Sequence, residues 1–218
     1  MTALWLATAA FLLTHFVTST PLRAKLVSAM GEWPYRGAYS AVAFVTLGWM
    51  IYACTHTGRE VLWSGIREVP IVVTPFAFIL IACGYSRNPT MVGADRLLRS
   101  ADPARGMIRV TRHPIMWGVM LWAGAHVLAL GELKALIFFG SFLLLAGIGT
   151  VTMDRRKRAN PDWSRFAAAT SHIPFVAIAQ GRNRLDLREI GWKRPLIGLL
   201  AFFLLLWIHP WLFGVRPY

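Results

Sequence analysis

The sequence predicts an all-α fold, a polytopic membrane helical bundle of about six transmembrane helices with N-terminus and C-terminus outside. Three observations carry that expectation: bulk composition, the length of the apolar runs and the placement of the basic residues. Hydrophobic residues make up 56% of the 218 and charged residues 15%, with ten tryptophans; mean hydropathy is +0.50. A water-soluble domain of this length has too little interior to hide so much apolar side chain. The apolar residues also gather into runs close to the ~20 that cross a bilayer core of roughly 30 Å as a helix.

Six runs qualify: 3–17, 35–54, 69–84, 113–130, 133–153 and 196–212. No Lys or Arg precedes Arg23, so the first run reads as a mature span and not as a cleaved signal peptide. With the N-terminus outside, nineteen of the twenty-three Lys and Arg fall on the inner side. Only Arg59, Arg67, Lys134 and Arg216 fall outside, a bias that fixes this orientation. The net charge of +13 then serves topology and contact with anionic lipid, and nucleic acid is excluded as a partner.

The inner segments are the longest polar stretches. Residues 85–112, broken by Pro89, Gly93, Pro103 and Gly106, read as an irregular basic loop with one short helix near 94–100. Residues 154–195 read as an amphipathic surface helix beginning after Pro161. No internal repeat or low-complexity tract appears, so residues 1–218 form a single transmembrane domain. Cys54 and Cys83 end their spans at opposite membrane faces and are out of disulfide reach. No C-x-x-C-H occurs, which excludes covalent c-type haem.

The histidines carry the chemistry. An ionisable side chain inside a membrane is costly and is a functional candidate by default, although a neutral imidazole also serves as a plain interhelical hydrogen-bond partner. Span four starts at His113, which puts His126 about 19 Å further in. Span one leaves His15 about 12 Å from the same face. His113 and His126 lie ~19 Å and roughly 140° apart on one helix, too far to share one iron. A two-histidine site therefore forms between helices, and His15 with His126 is the best-matched pair.

Two imidazoles without a nearby Cys or carboxylate suit b-type haem, which accepts axial histidines. Zinc takes four ligands in structural sites and usually three in catalytic ones. The small residues Ala9, Ala10, Thr14, Gly118, Ala123, Gly124 and Ala125 leave room for a flat macrocycle, or equally for ordinary close helix packing. His113 precedes Pro114 at a helix start, and with Arg112 makes an anion-seeking corner suited to a propionate, phosphate or cofactor carboxylate, or a simple interfacial anchor. Arg155, between Asp154 and Arg156 at the end of span five, can clasp a cofactor carboxylate or act as stop-transfer charge. His56, His172 and His209 read as structural, with His209 a reserve ligand.

The stretches THFVTSTPLRAKLV, GEWPYRGAYS, TRHPIMWGVMLWAGAHVLALGE, MDRRKRA and FAAATSHIPFVAI resemble the NnrU family of bacterial inner-membrane proteins. The ordered pattern R-H-P, A-H, D-R-R carries the resemblance. It implies an association with nitrite and nitric oxide reduction in denitrifiers. The pattern is also similar to the cis-zeta-carotene isomerases of plants and cyanobacteria. That likeness implies b-type haem held by His15 and His126, with His113 as the further histidine of R-H-P. In those isomerases a change of iron redox and ligation state is thought to open the site for cis-to-trans isomerisation. The membrane methyltransferases of isoprenylcysteine and phospholipid also use R-H-P at a helix start, and Trp163 to Phe175 resembles their aromatic tail.

The expectation is a haem-b-binding, multi-pass protein of a bacterial cytoplasmic membrane, with lipid and a lipophilic small molecule as partners. Its first functional reading is redox chemistry linked to nitrite and nitric oxide reduction. A haem-dependent isomerase of a carotenoid-like polyene is the second, and an S-adenosylmethionine-dependent methyltransferase the third. Among enzymatic readings the isomerase is favoured.

Overall fold

The computed structural model describes residues 1–17 and 20–217; Thr18 and Ser19, inside the stretch THFVTSTPLRAKLV, and Tyr218 lie outside the described residues. In chain order the helices are α1 (Thr2–Val17), α2 (Pro21–Met30), α3 (Glu32–Thr55), α4 (Val69–Gly84), α5 (Met107–Val110) and α6 (Pro114–Leu130). They continue as α7 (Leu133–Lys157), α8 (Trp163–Ala169), α9 (Val176–Ala179), α10 (Leu187–Ile190) and α11 (Lys193–Phe213). The molecule is a helical membrane bundle, and α1, α3, α4, α6, α7 and α11 coincide with the six predicted spans.

Of these, α3, α7 and α11 are individually long and apolar enough to cross a bilayer; α1 passes only together with α2, and α4 and α6 are shorter apolar helices. At 16 and 17 residues the short pair measures ~24–26 Å, a mismatch that bilayers absorb by local thinning.

The chain divides into two compact units, Met1–Ile66 with His126–Leu145, and Arg67–Ala125 with Ala146–Tyr218. Helices α6 and α7 each contribute to both. In the first unit, Leu4, Ala7 and Phe11 form an i, i+3, i+7 stripe on α1 that packs on Met50 and Ala53 of α3 and Ile137 of α7. Its loop before α4 is clasped to the α6–α7 turn. Leu62 N–H donates to the Gly131 carbonyl at 2.8 Å, and Arg59 meets the buried Glu132 carboxylate. Gly131 has φ +62° directly under the Trp63 carbonyl, where a Cβ has no space.

In the second unit α4 is the central helix. A Cβ on Gly198 of α11 would stand 2.7 Å from the Phe78 carbonyl oxygen. A Cβ on Gly118 of α6 would stand 2.6 Å from the Ala77 carbonyl oxygen and 2.5 Å from Ile81 Cγ1. Glycine here lets backbones touch, the usual solution where lipid removes the hydrophobic drive for association. Gly118→Ala is expected to cost about 1–3 kcal/mol by forcing α6 and α4 apart. Thermal unfolding in detergent micelles would then fall by roughly 2–12 °C. Gly147→Ala, where an added Cβ meets nothing within 4 Å, is the control and should leave the midpoint within a degree or two.

Two sequence expectations for the polar segments change in detail. The short helix near 94–100 is a 3-10 turn at Asp95–Arg99. The amphipathic surface helix after Pro161 is only the seven-residue α8, and its aromatic residues are covered by protein. Trp163 and Phe166 are buried against Leu98 and Ile108 of the preceding polar loop. The loop therefore supplies the apolar partner that the bilayer was expected to provide.

A buried arginine pins that loop in turn. Arg109 of α5 donates from Nε to Glu189 at 2.7 Å, from Nη1 to the Asn183 side chain at 2.8 Å and from Nη2 to Asp102 at 2.5 Å. Glu189 also accepts from the Gly106 N–H at 3.0 Å. Hydrogen bonding to Arg109 holds the Glu189 carboxyl down at about 2, below its ordinary 4.5.

Candidate functional site

In the first unit His15 and His126 are linked by a chain of pairwise ring contacts. His15, on α1, lies with its ring 4.2 Å from that of Phe11, and Phe11 packs on Phe142 at 5.4 Å. Phe142 meets Phe138 at 5.4 Å, and Phe138 meets Phe139 at 5.0 Å. Phe139 stacks on His126 at 4.8 Å and 23°. A continuous path of rings thus runs from one imidazole to the other through side chains of α1 and α7.

Both histidines are partly buried. His15 Nδ1 lies 2.7 Å from the Phe11 carbonyl oxygen, one helical turn back. A carbonyl only accepts, so Nδ1 carries a proton and donates it there. Among the described residues no group of three or more His, Cys, Asp and Glu is arranged to hold a metal ion.

The second unit assembles a separate polar site around the R-H-P corner. Asp154, near the end of α7, accepts from Arg112 Nη1 at 2.6 Å on one carboxylate oxygen. On the other it accepts from His113 Nε2 at 2.7 Å. Both donors are nearly sealed, with side-chain exposures of 11% and 0%, so the pairing acts in a poorly solvated environment. His113 Nδ1 is buried and without a hydrogen-bond partner among the described residues.

The segment after α8 is strapped across this corner. The Arg112 guanidinium donates to the Ala167 and Thr170 carbonyls, and its backbone N–H donates to the Ser171 carbonyl. Thr111 Oγ1 and Trp117 Nε1 both donate to the His172 carbonyl at 2.8 Å. The guanidinium also lies over the Trp163 ring, 5.7 Å from its centroid. Burial, followed by repulsion from the His113 imidazole, pushes the His172 imidazole below its ordinary 6.5.

Arg112 and His113 therefore meet as the sequence suggested, but their partner is a protein carboxylate. Arg155 is exposed on α7, and its neighbour Asp154 makes the contact. His56 stacks on Tyr52 at 4.1 Å. His209 donates through Nδ1 to the Val215 carbonyl at 2.8 Å. Sequence reasoning treated Asp154 as one of a row of end-of-span charges and set His172 aside. One signal was available: an acidic residue at the end of an apolar run whose predicted side is that of R-H-P.

Comparison with known proteins supplies the remaining findings. A family described as NnrU protein matches residues 3–217. The chain is 38% identical over 82 residues to the 15-cis-zeta-carotene isomerase, chloroplastic, of Arabidopsis thaliana, covering 37% of this chain and 22% of the relative. It is 34% identical over 98 residues to the protein of the same name from Zea mays, covering 43% and 27%. These matches span about a quarter of the relatives' length. No solved structure matches.

Proposed function

We propose that this chain, which belongs to the NnrU family, is a membrane cis–trans isomerase of a lipophilic polyene that holds b-type haem between His15 and His126. The observation that carries the reading is the relay of ring contacts that links the two imidazoles, with His15 Nδ1 directed at the Phe11 carbonyl. A macrocycle brings four nitrogens of its own and needs from the protein only axial bases. That suits two histidines on different helices, α1 and α6. The Phe11 carbonyl fixes the ring orientation of His15, as the outer partners of metal-bound imidazoles do.

His15 and His126 would hold haem b, which would supply redox-active iron at this place. The residues of this chain hold the pair and exclude water: Phe11, Phe138, Phe139 and Phe142 offer flat apolar surface complementary to a planar macrocycle or a conjugated polyene. The reaction class comes from the relatives, which are named for isomerising 15-cis-zeta-carotene. Isomerisation consumes no co-substrate and leaves the polyene's atoms and electrons unchanged in number.

The purified chain is expected to show a Soret band, and His15→Ala and His126→Ala are each expected to abolish its low-spin form. Arg155→Ala should leave it intact. A band that survives both histidine changes, or no band at all, overturns the haem assignment. With haem present, a 15-cis polyene should convert to its 15-trans form only after reduction. Failure of that assay, combined with a spectral change on adding nitric oxide, transfers the site to nitric-oxide-linked redox chemistry.

A further inference from the structure

The segment leading into α11 carries an amphiphilic surface that neither the relay of ring contacts nor the R-H-P corner uses. Between α9 and α11 the chain exposes Leu185, Leu187 and Trp192, at 48%, 69% and 69%. Arg184, Arg188 and Lys193 are exposed among them. Large apolar side chains standing free beside cations usually mark a binding surface.

The acidic residues of this stretch do not neutralise it. Glu189 is turned inward onto Arg109 and the Gly106 N–H. Asp186 caps α10, accepting from the Arg188 and Glu189 N–H groups, and only one oxygen reaches Arg184, at 3.7 Å. The outward charge is therefore positive, and it stands among apolar residues of the kind that sink into a headgroup layer. Continuity decides the occupant. Lys193 is the first residue of α11, a helix long and apolar enough to span a bilayer, so Trp192 stands at a membrane boundary, where tryptophan is favoured.

We propose that residues 184–193 form an interfacial anchor that lies in the headgroup layer and selects anionic lipid. Leu185, Leu187 and Trp192 enter the acyl boundary, while Arg184, Arg188 and Lys193 meet lipid phosphates. The Arg109–Glu189 pair holds the segment in register from beneath. The anchor is independent of the haem pair.

The test uses the full chain in nanodiscs of mixed phosphatidylglycerol and phosphatidylcholine, with spin-labelled lipid of each kind as probe. Native protein should enrich the anionic probe several-fold at its boundary. The exposed double variant Arg188→Gln/Lys193→Gln should bring the ratio close to one, because each surface cation is worth roughly fivefold in attraction to an anionic surface. A nitroxide at Leu187→Cys, with Cys54 and Cys83 replaced by alanine, should be reached by dissolved oxygen and shielded from an aqueous nickel reagent. An unchanged lipid ratio in the double variant overturns the proposal. So does a Leu187 site open to the nickel reagent, which places it in water, or closed to both reagents, which places a protein partner there.

Discussion

Asp154→Ala is expected to destabilise the protein by about 3–5 kcal/mol, because it strips the single carboxylate from two buried donors. Arg112 and His113 each direct a nitrogen at Asp154 from positions 11% and 0% exposed. Without the carboxylate the guanidinium stays charged and the imidazole loses the acceptor of its Nε2. For a chain of this length the loss corresponds to a fall of roughly 6–20 °C in the unfolding midpoint. Asp154→Asn keeps the shape and one acceptor oxygen, so its cost should be smaller. The alanine variant should also free residues 167–173, whose carbonyls are gathered by Arg112, Thr111 and Trp117. Amide exchange there should rise more than in α11. A midpoint within 2 °C of the native value would sink the idea that this cluster anchors the corner.

The same cluster shows what a sequence can and cannot disclose. The spans were legible because a bilayer imposes one length and one polarity on every crossing, and the run 113–130 reappears as α6 at Pro114–Leu130. Counting residues along the runs also put His15 and His126 on the first and fourth of them, and both lie on the matching helices, α1 and α6. Asp154 was not, since it lies 42 residues from Arg112, and its partnership depends on how the end of α7 meets the start of α6. The strap of residues 167–173 was less legible still. It binds through backbone carbonyls, which every residue possesses, so no side-chain pattern announces it. The amphipathic reading after Pro161 failed because an apolar face does not say whether lipid or protein will cover it. Leu98 and Ile108, on a loop taken to be polar, covered Trp163 and Phe166.

Arg109 sits at the same limit of legibility, an arginine in a basic loop that turns out to be 7% exposed. Its removal is the second change expected to cost most. Arg109→Ala leaves Glu189, whose side chain is 14% exposed, without its main partner, and about 3–5 kcal/mol is the expected loss. Because what remains is an uncompensated charge, the penalty should be largely relieved by removing it too. Arg109→Leu/Glu189→Leu should therefore be clearly more stable than either single variant. If the double variant instead loses the sum of the two single effects, the pair is not coupled.

Acid titration gives an independent reading of the same bond. The Glu189 carboxyl is held at about 2 against an ordinary 4.5, first by its hydrogen bonds from Arg109. A depressed carboxylate stabilises the fold fully above 4.5, and the contribution disappears as pH falls from 4.5 through about 2. By linkage the stabilisation from this pair is lost across that interval. Asp95 is also pulled down by its hydrogen bond to Lys157, but at 52% exposure it adds little. Native protein in detergent should therefore lose stability between pH 4.5 and 2, and Glu189→Gln should flatten that slope while lowering stability at neutral pH. An equally steep acid limb in the glutamine variant would assign the loss to other carboxylates and remove Arg109–Glu189 as the bond that holds residues 183–190 against α5.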